Sequence, residues 1–208
     1  GTIVHTVDFK IDMPPAEGAM IDLCRFAELG KEGVLALLAD STNAERPGYT
    51  QTEQTVNNSL DSLFMRAEGK RIIVATFASS ISRVQMIINC AVKYGRKVAL
   101  SGRSMVNVTK LAMEIGELKI PQDVFIDVGD LDCYEDDEIV VLTTGSQGEP
   151  MSGLTRMANS EHRKLQIRQG DTAHLGGRVY TIARAYHGTD EESGEDITDL
   201  TLEEVTAA

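Results

Sequence analysis

The chain has 208 residues, a hydrophobic fraction of 42% and a formal net charge of −12. That length suffices for one large core or two small ones, and the acidity argues against nucleic-acid binding by bulk charge. No apolar run approaches the ~18–20 residues of a membrane span and no signal-peptide pattern opens the chain, so the expectation is a soluble cytoplasmic protein that engages no membrane.

The charge is unevenly spread. Asp190 to Ala208 holds eight acids and no Lys or Arg, the pattern of a solvated tail. The rest of the chain is only mildly acidic and leaves room for a local basic patch. Cys24, Cys90 and Cys133 lie far apart with no CxxC pair. They read as reduced, mostly buried thiols.

Thr2 to Ile11 alternates weakly and reads as an extra strand before Pro14-Pro15. Val34 to Leu38 is a solid apolar run ending at Asp40-Ser41-Thr42-Asn43. Thr50-x-x-Glu53 then reads as a capping box, with Val56, Leu60, Leu63, Phe64 and Ala67 at helical spacing and Gly69 as the stop. Arg71 to Phe77 is the next strand, followed by Ala78-Ser79-Ser80-Ile81-Ser82-Arg83 and a helix whose apolar face is Val84, Ile87, Ile88, Ala91 and Val92. Lys97 to Leu100 is a short strand with a helix after it, and Asp123 to Val128 is a further strand. Glu138 to Leu142 leads into Thr143-Thr144-Gly145-Ser146-Gln147-Gly148-Glu149-Pro150-Met151 and a helix from Ser152 to Ser160.

Strands that read as unbroken apolar runs are buried on both faces, and their alternation with helices implies parallel pairing. The fold class expected is α/β, a mainly parallel sheet with helices on both faces. The strands at 34–39, 71–77, 97–100 and 138–143 are expected in one sheet. Beyond Asp171 the pattern blurs. Gly176 to Ala183 reads as a strand, and the acidic end as disorder or a short helix at Leu200 to Val205.

The chemistry-bearing residues collect where strands end. In an open parallel sheet that edge binds ligands, and helix N-termini there present free N–H groups and a positive dipole end to anions. Ser79, Ser80, Ser82 and Arg83 read either as ordinary N-capping or as a phosphate cradle with Arg83 as its bidentate partner. Thr144, Ser146, Gln147 and Glu149 form a comparable loop one unit later. Asp40, at the end of an apolar strand, is a turn former or an active-site carboxylate. Asp8 is a surface acid or a metal ligand. His5, His162, His174 and His187 make no HxH or i, i+4 pair, so no zinc site assembles from local motifs. There is no GxGxxG, GxxxxGK[ST] or GxSxG, which weakens dinucleotide, P-loop and esterase readings.

Four segments together carry a family resemblance: His5 to Asp12 (HTVDFKID), Leu38 to Gly48 (LADSTNAERPG), Ala75 to Gln85 (ATFASSISRVQ) and Leu142 to Met151 (LTTGSQGEPM). In order and content the chain from Ile3 to Asp171 resembles the ribonuclease J branch of the metallo-β-lactamase/β-CASP nucleases. The resemblance implies a partial metallo-β-lactamase segment over 1–50, the remnant of an αββα domain, then a β-CASP domain over 51–170. The segment 171–208 is unmatched. It also implies a two-zinc phosphodiesterase that cuts RNA in exonuclease and endonuclease modes. On this resemblance Asp8 matches a metal-bridging aspartate, and Asp40 matches an acid that supports a metal ligand. Ser79, Ser80, Ser82, Arg83, Thr144, Ser146, Gln147 and Glu149 match segments lining the RNA channel. Val7 stands where the family pattern has glycine. The family's HxHxDH motif would precede Gly1. Its two later histidine motifs should follow Asp171, and His174 and His187 stand in other contexts. The expectation is a nuclease portion that binds single-stranded RNA, holds zinc weakly or not at all, and is inactive as an isolated chain. Self-association is left open. The competing readings are a non-catalytic α/β module for RNA or a protein partner and a flavodoxin-like nucleotide-binding domain.

Overall fold

The computed structural model describes residues 1–13, 20–42, 44–50, 52–146, 151–159, 161–162, 164–175, 178–189 and 196–204; beyond Ala173 it gives backbone alone, apart from the Ile182 side chain. The chain divides into two units, Gly1–Asn58 and Ser59–Ala208.

In the first unit β1 (Thr2–His5) pairs in parallel with β2 (Val34–Leu38), with His5 opposite Leu38. Between them runs α1 (Leu23–Glu32), whose first turn is held by Asp22 accepting from the Arg25 N–H at 2.9 Å. The apolar run of β2 was expected inside the main sheet, buried on both faces. It lies instead in this separate two-stranded sheet and is exposed throughout, Leu35 at 75%. A solid apolar run signals a tendency to be covered, but the register partner decides which sheet it joins. Here that partner is the N-terminal strand.

The helix after residue 50 also starts differently from its sequence pattern. α2 (Glu53–Arg66) is capped not by a Thr50/Glu53 box but by Thr52 Oγ1, which accepts from the Thr55 N–H at 3.3 Å. A second acceptor comes from far away: Asp12 Oδ2 takes the Glu53 N–H at 2.8 Å. Lys10 Nζ adds an ion pair with Glu53 Oε1 at 2.7 Å. A local motif cannot announce an acceptor that tertiary structure supplies.

The second unit is built on one sheet of seven strands in the order β5-β4-β6-β3-β7-β8-β9. β3 (Ile72–Ala75), β4 (Lys97–Leu100), β5 (Phe125–Ile126), β6 (Ile139–Thr143) and β7 (Thr172–Leu175) run parallel. β8 (Arg178–Thr189) and β9 (Asp196–Glu204) add an antiparallel hairpin at one edge. Over Asp196–Glu204 the acidic end is therefore a strand, where disorder or a short helix was the expectation. Its Ile197, Leu200 and Leu202 sit among the acids, and cross-strand pairing with the long β8 supplies what composition alone does not.

The chain steps from β3 outward to β4 and β5, then reverses to β6 and β7. With a fixed crossover hand, reversal puts the connections on opposite faces of the sheet. Ile73, Ala99, Ile139 and Val141 share one face with Leu131, Met157, Leu165 and Ile167. Ile72, Val74, Val98 and Val140 point to the other face by the two-residue period and are all at most 1% exposed. That side carries α2, α3 (Ile81–Lys93) and α4 (Arg103–Glu114). This is the mainly parallel α/β sheet with helices on both faces that the sequence implies.

At the opposite end of β3 from the ligand edge, Arg71 is 2% exposed and Asp171 3%. Arg71 Nε donates to Asp171 Oδ1 at 3.0 Å and Nη2 to Oδ2 at 2.6 Å, with a further bond to the Gln166 carbonyl at 2.9 Å. Burial pushes the Asp171 carboxyl up, and the Arg71 guanidinium pulls it back. The pair ties the entry of β3 to the entry of β7.

Candidate nucleic-acid interface

Three turns leave the sheet at one edge. The Thr76 N–H donates to the Thr143 carbonyl at 3.0 Å, and the Ser101 N–H to the Leu142 carbonyl at 2.9 Å. The ends of β4, β6 and β3 are thus level neighbours. β3 and β4 send the chain one way along the sheet, while β6 sends it the other. Such a reversal opens a crevice between outgoing turns.

The first turn carries Ser79 and Ser82, both exposed, and Ser80 and Arg83, both half-buried. Ser80 occupies the cap position of α3, yet its side chain makes no cap hydrogen bond. Ser80 is therefore not an ordinary serine cap. The α4 cap is Gly102, which has no side chain to offer. Neither helix has its first-turn N–H groups closed off by a side chain at its cap, and such groups favour anions.

The turn after β6 is built for tightness. Thr144 Oγ1 accepts from the Gly153 N–H at 3.2 Å and its carbonyl accepts from Leu154 at 3.0 Å. Ser152 caps α5 (Gly153–Ala158), accepting from the Thr155 N–H at 3.2 Å. A Cβ on Gly153 would collide with Thr143 Oγ1, and one on Gly145, whose φ is +116°, with Ser152 Oγ. Thr144 thus folds the loop back onto α5. Ser146 Oγ is buried with no hydrogen-bond partner among the described residues. Gln147 and Glu149 lie outside the described residues.

A residue that sequence reading passed over joins this edge. His162 Nε2 is 3.0 Å from Ser101 Oγ, and its Nδ1 accepts from the Lys164 N–H at 3.4 Å. Burial, reinforced by the Arg156 charge, holds the imidazole below its ordinary value. The two partners are 61 residues apart, so no local motif could have found them.

In the first unit Asp40 accepts from both the N–H of Thr42 at 2.9 Å and its hydroxyl at 2.7 Å. These bonds, the backbone one foremost, hold its carboxyl below the usual carboxylate range. Asp8 is exposed and follows Val7, whose φ is +49°. The three cysteines are free, but Cys24 and Cys133 are exposed, so only Cys90 is the buried thiol expected. Burial raises its pKa to about 11.

The β-CASP domain of ribonuclease J matches residues 69–180. The chain belongs to the ribonuclease J β-CASP family. It is 49% identical to ribonuclease J of Synechocystis over 172 residues, covering 83% of this chain and 27% of that protein. Against ribonuclease J of Thermus thermophilus the identity is 49% over 175 residues, 84% of this chain and 30% of the relative. Against the Helicobacter pylori protein it is 46% over 179 residues, 86% and 26%. The chain thus spans less than a third of the length of these curated relatives.

Membership of this family raises the question of metal, and the residues present answer it poorly. Among the described residues no three His, Cys, Asp or Glu side chains gather where an ion could sit, and Asp8 belongs to no such group. A zinc site needs three or four donors. The described residues do not fit one by themselves.

Proposed function

We propose that this chain is the RNA-gripping portion of a ribonuclease J-like RNA-processing nuclease, with single-stranded RNA as the ligand of the crevice beside β3, β4 and β6. The observation that carries this reading is the shared edge: the serine turn before α3 and the Thr144 turn before α5 leave neighbouring strands level with each other. Ser79, Ser80, Ser82, Arg83, Thr144, Ser146, Gln147 and Glu149 are the proposed contacts, with Arg83 the principal phosphate partner. A guanidinium can take two phosphate oxygens at once.

Phosphodiester hydrolysis, in exonuclease or endonuclease mode, and a two-zinc centre are proposals for the longer protein of this kind. In such a centre Asp8 would be one donor and Asp40 a carboxylate supporting another. The described residues gather no such set of donors, and the isolated chain is proposed to be inactive. Segments 1–50 and 51–170 are the proposed domain division, with 171–208 adding β7, β8 and β9 to the sheet of the second. Three unpaired cysteines support a reducing, cytoplasmic setting. Among the described residues no helix is long and apolar enough to cross a membrane.

A salt titration of a labelled single-stranded oligonucleotide tests the reading. Affinity is expected to fall as salt rises, because neutralised phosphates release counterions. Arg83→Ala is expected to weaken binding by about 1–3 kcal/mol, the range for a lost charge-assisted bond. Affinity that ignores both salt and Arg83→Ala would remove RNA from this edge.

A further inference from the structure

We propose that His162 is a positioning residue for the RNA crevice, and that the crevice grips RNA only while its imidazole is neutral and bridges Ser101 to the Lys164 backbone. The inference rests on the RNA reading above.

Nδ1 accepts from the Lys164 N–H, so in the neutral ring the proton is on Nε2. Nε2 then donates to Ser101 Oγ at 3.0 Å. This tautomer rules out one familiar role. A histidine that activates a serine must accept the hydroxyl proton, and here the ring nitrogen facing Oγ is the donor. Ser101 is also 2% exposed, too enclosed for an attacking group. What the pair can do is brace.

The brace joins three parts of the ligand edge. Ser101 is the residue between β4 and the Gly102 cap of α4. The His162 N–H donates to the Arg156 carbonyl at 2.9 Å, which fastens the ring's own segment to α5. α5 in turn holds the Thr144 turn through the Gly153 N–H. Downstream, Leu165 and Ile167 anchor the segment in the core at 5% and 3% exposure. The imidazole therefore links the α4 mouth to a segment whose backbone is fastened to α5 and whose next residues enter the core.

Protonation undoes the brace. A proton on Nδ1 turns an acceptor into a donor facing the Lys164 N–H, and the two donors repel. The charge that acts on the ring is Arg156 on α5; Lys164, on the ring's own segment, meets it through the backbone N–H and turns its ammonium to Asp127. Ser101 is the group facing it from the β4–α4 turn. Arg156 makes a cationic ring costlier still. The competing expectation has the opposite sign: a cationic His162 that touched phosphate directly would strengthen RNA binding on acidification.

The test is the affinity of the full chain for oligouridylate, whose bases do not titrate in this range, at about pH 7.5 and in steps downward to the lowest pH at which circular dichroism of the chain is unchanged. The parent is expected to bind about fivefold more weakly at the acid end, the effect of one lost hydrogen bond. His162→Gln, which keeps a donor and an acceptor, should match the parent at neutral pH and lose the pH step. His162→Ala and Ser101→Ala should be weakened at every pH. A long-range ¹H–¹⁵N spectrum should show the Nε2–H tautomer. Tighter binding at acid pH, a pH step that survives His162→Gln, or an Nδ1–H tautomer would each overturn the inference while leaving the RNA reading intact. A parent chain that binds no oligouridylate at neutral pH would overturn the RNA reading and this inference with it. Circular dichroism of each variant separates lost binding from lost folding.

Discussion

At the scale of single residues, two positions show physics that composition hides. Arg71 and Asp171 are both nearly unexposed and neutralise each other through two hydrogen bonds. Such a pair contributes little relative to an apolar replacement, but breaking one side strands a charge in the interior. Asp171→Ala is therefore expected to cost about 3–5 kcal/mol in a urea unfolding titration. A loss below 1 kcal/mol would mean that water reaches Arg71. Val7 presents the reverse case. A β-branched residue at a φ of +49° is strained by about 1–2 kcal/mol, and glycine relieves that at an entropic cost of about 0.5–1 kcal/mol. Val7→Gly should slow amide hydrogen exchange over Thr2 to Asp12, and faster exchange there would show that the local backbone carries no strain.

At the scale of elements, the β6–α5 turn is specified by close approach. Thr143 is 0% exposed and cannot yield to a Cβ on Gly153. Gly153→Ala should destabilise by about 1–3 kcal/mol, the cost of overpacking, with the loss visible as a lowered urea midpoint. The segment behind the turn adds a pH term. The His162 pKa is held below its unfolded value, so its contribution is present above about pH 6.5 and is lost as pH falls through the lower folded value. Melting temperature should drop on acidification in the parent, and less so in His162→Gln. An equal drop in both would assign the acid sensitivity to carboxylates.

The elements also show what the sequence could and could not reveal. β3, β4 and β6 were legible because buried parallel strands are written as apolar runs, and α3 and α4 because their buried residues fall at helical spacing. β2 carried the same signal and joined another sheet, since a run of Val34 to Leu38 says nothing of its partner. β8 was legible in part, as the strand read over Gly176 to Ala183, whereas β9 was not, because its strand character lies in pairing, not in its acidic composition. The serine and Thr144 turns were legible as strand-end loops. His162 was not, because its meaning depends on Ser101 across the sheet edge.

At the scale of the whole molecule, the two units differ in how they are made. The buried apolar residues, from Leu60 to Ile182, all belong to Ser59–Ala208. In Gly1–Asn58 the one buried side chain among the described residues is Asp12, and Ile3, Leu35, Leu37 and Leu38 are exposed at 50–75%. Stability grows with apolar area removed from water, at about 25 cal/mol per Å². Nearly all of it should therefore reside in the second unit. A chain covering residues 52–208, which keeps Thr52 as the α2 cap but loses the Asp12 acceptor, is expected to unfold cooperatively. Its unfolding free energy should lie within about 1–2 kcal/mol of that of the full chain, the worth of one cap. Residues 1–51 alone should show no cooperative transition. A 52–208 chain that fails to fold, or a cooperative melt from 1–51, would show that the first unit has a core of its own that these exposures do not reveal.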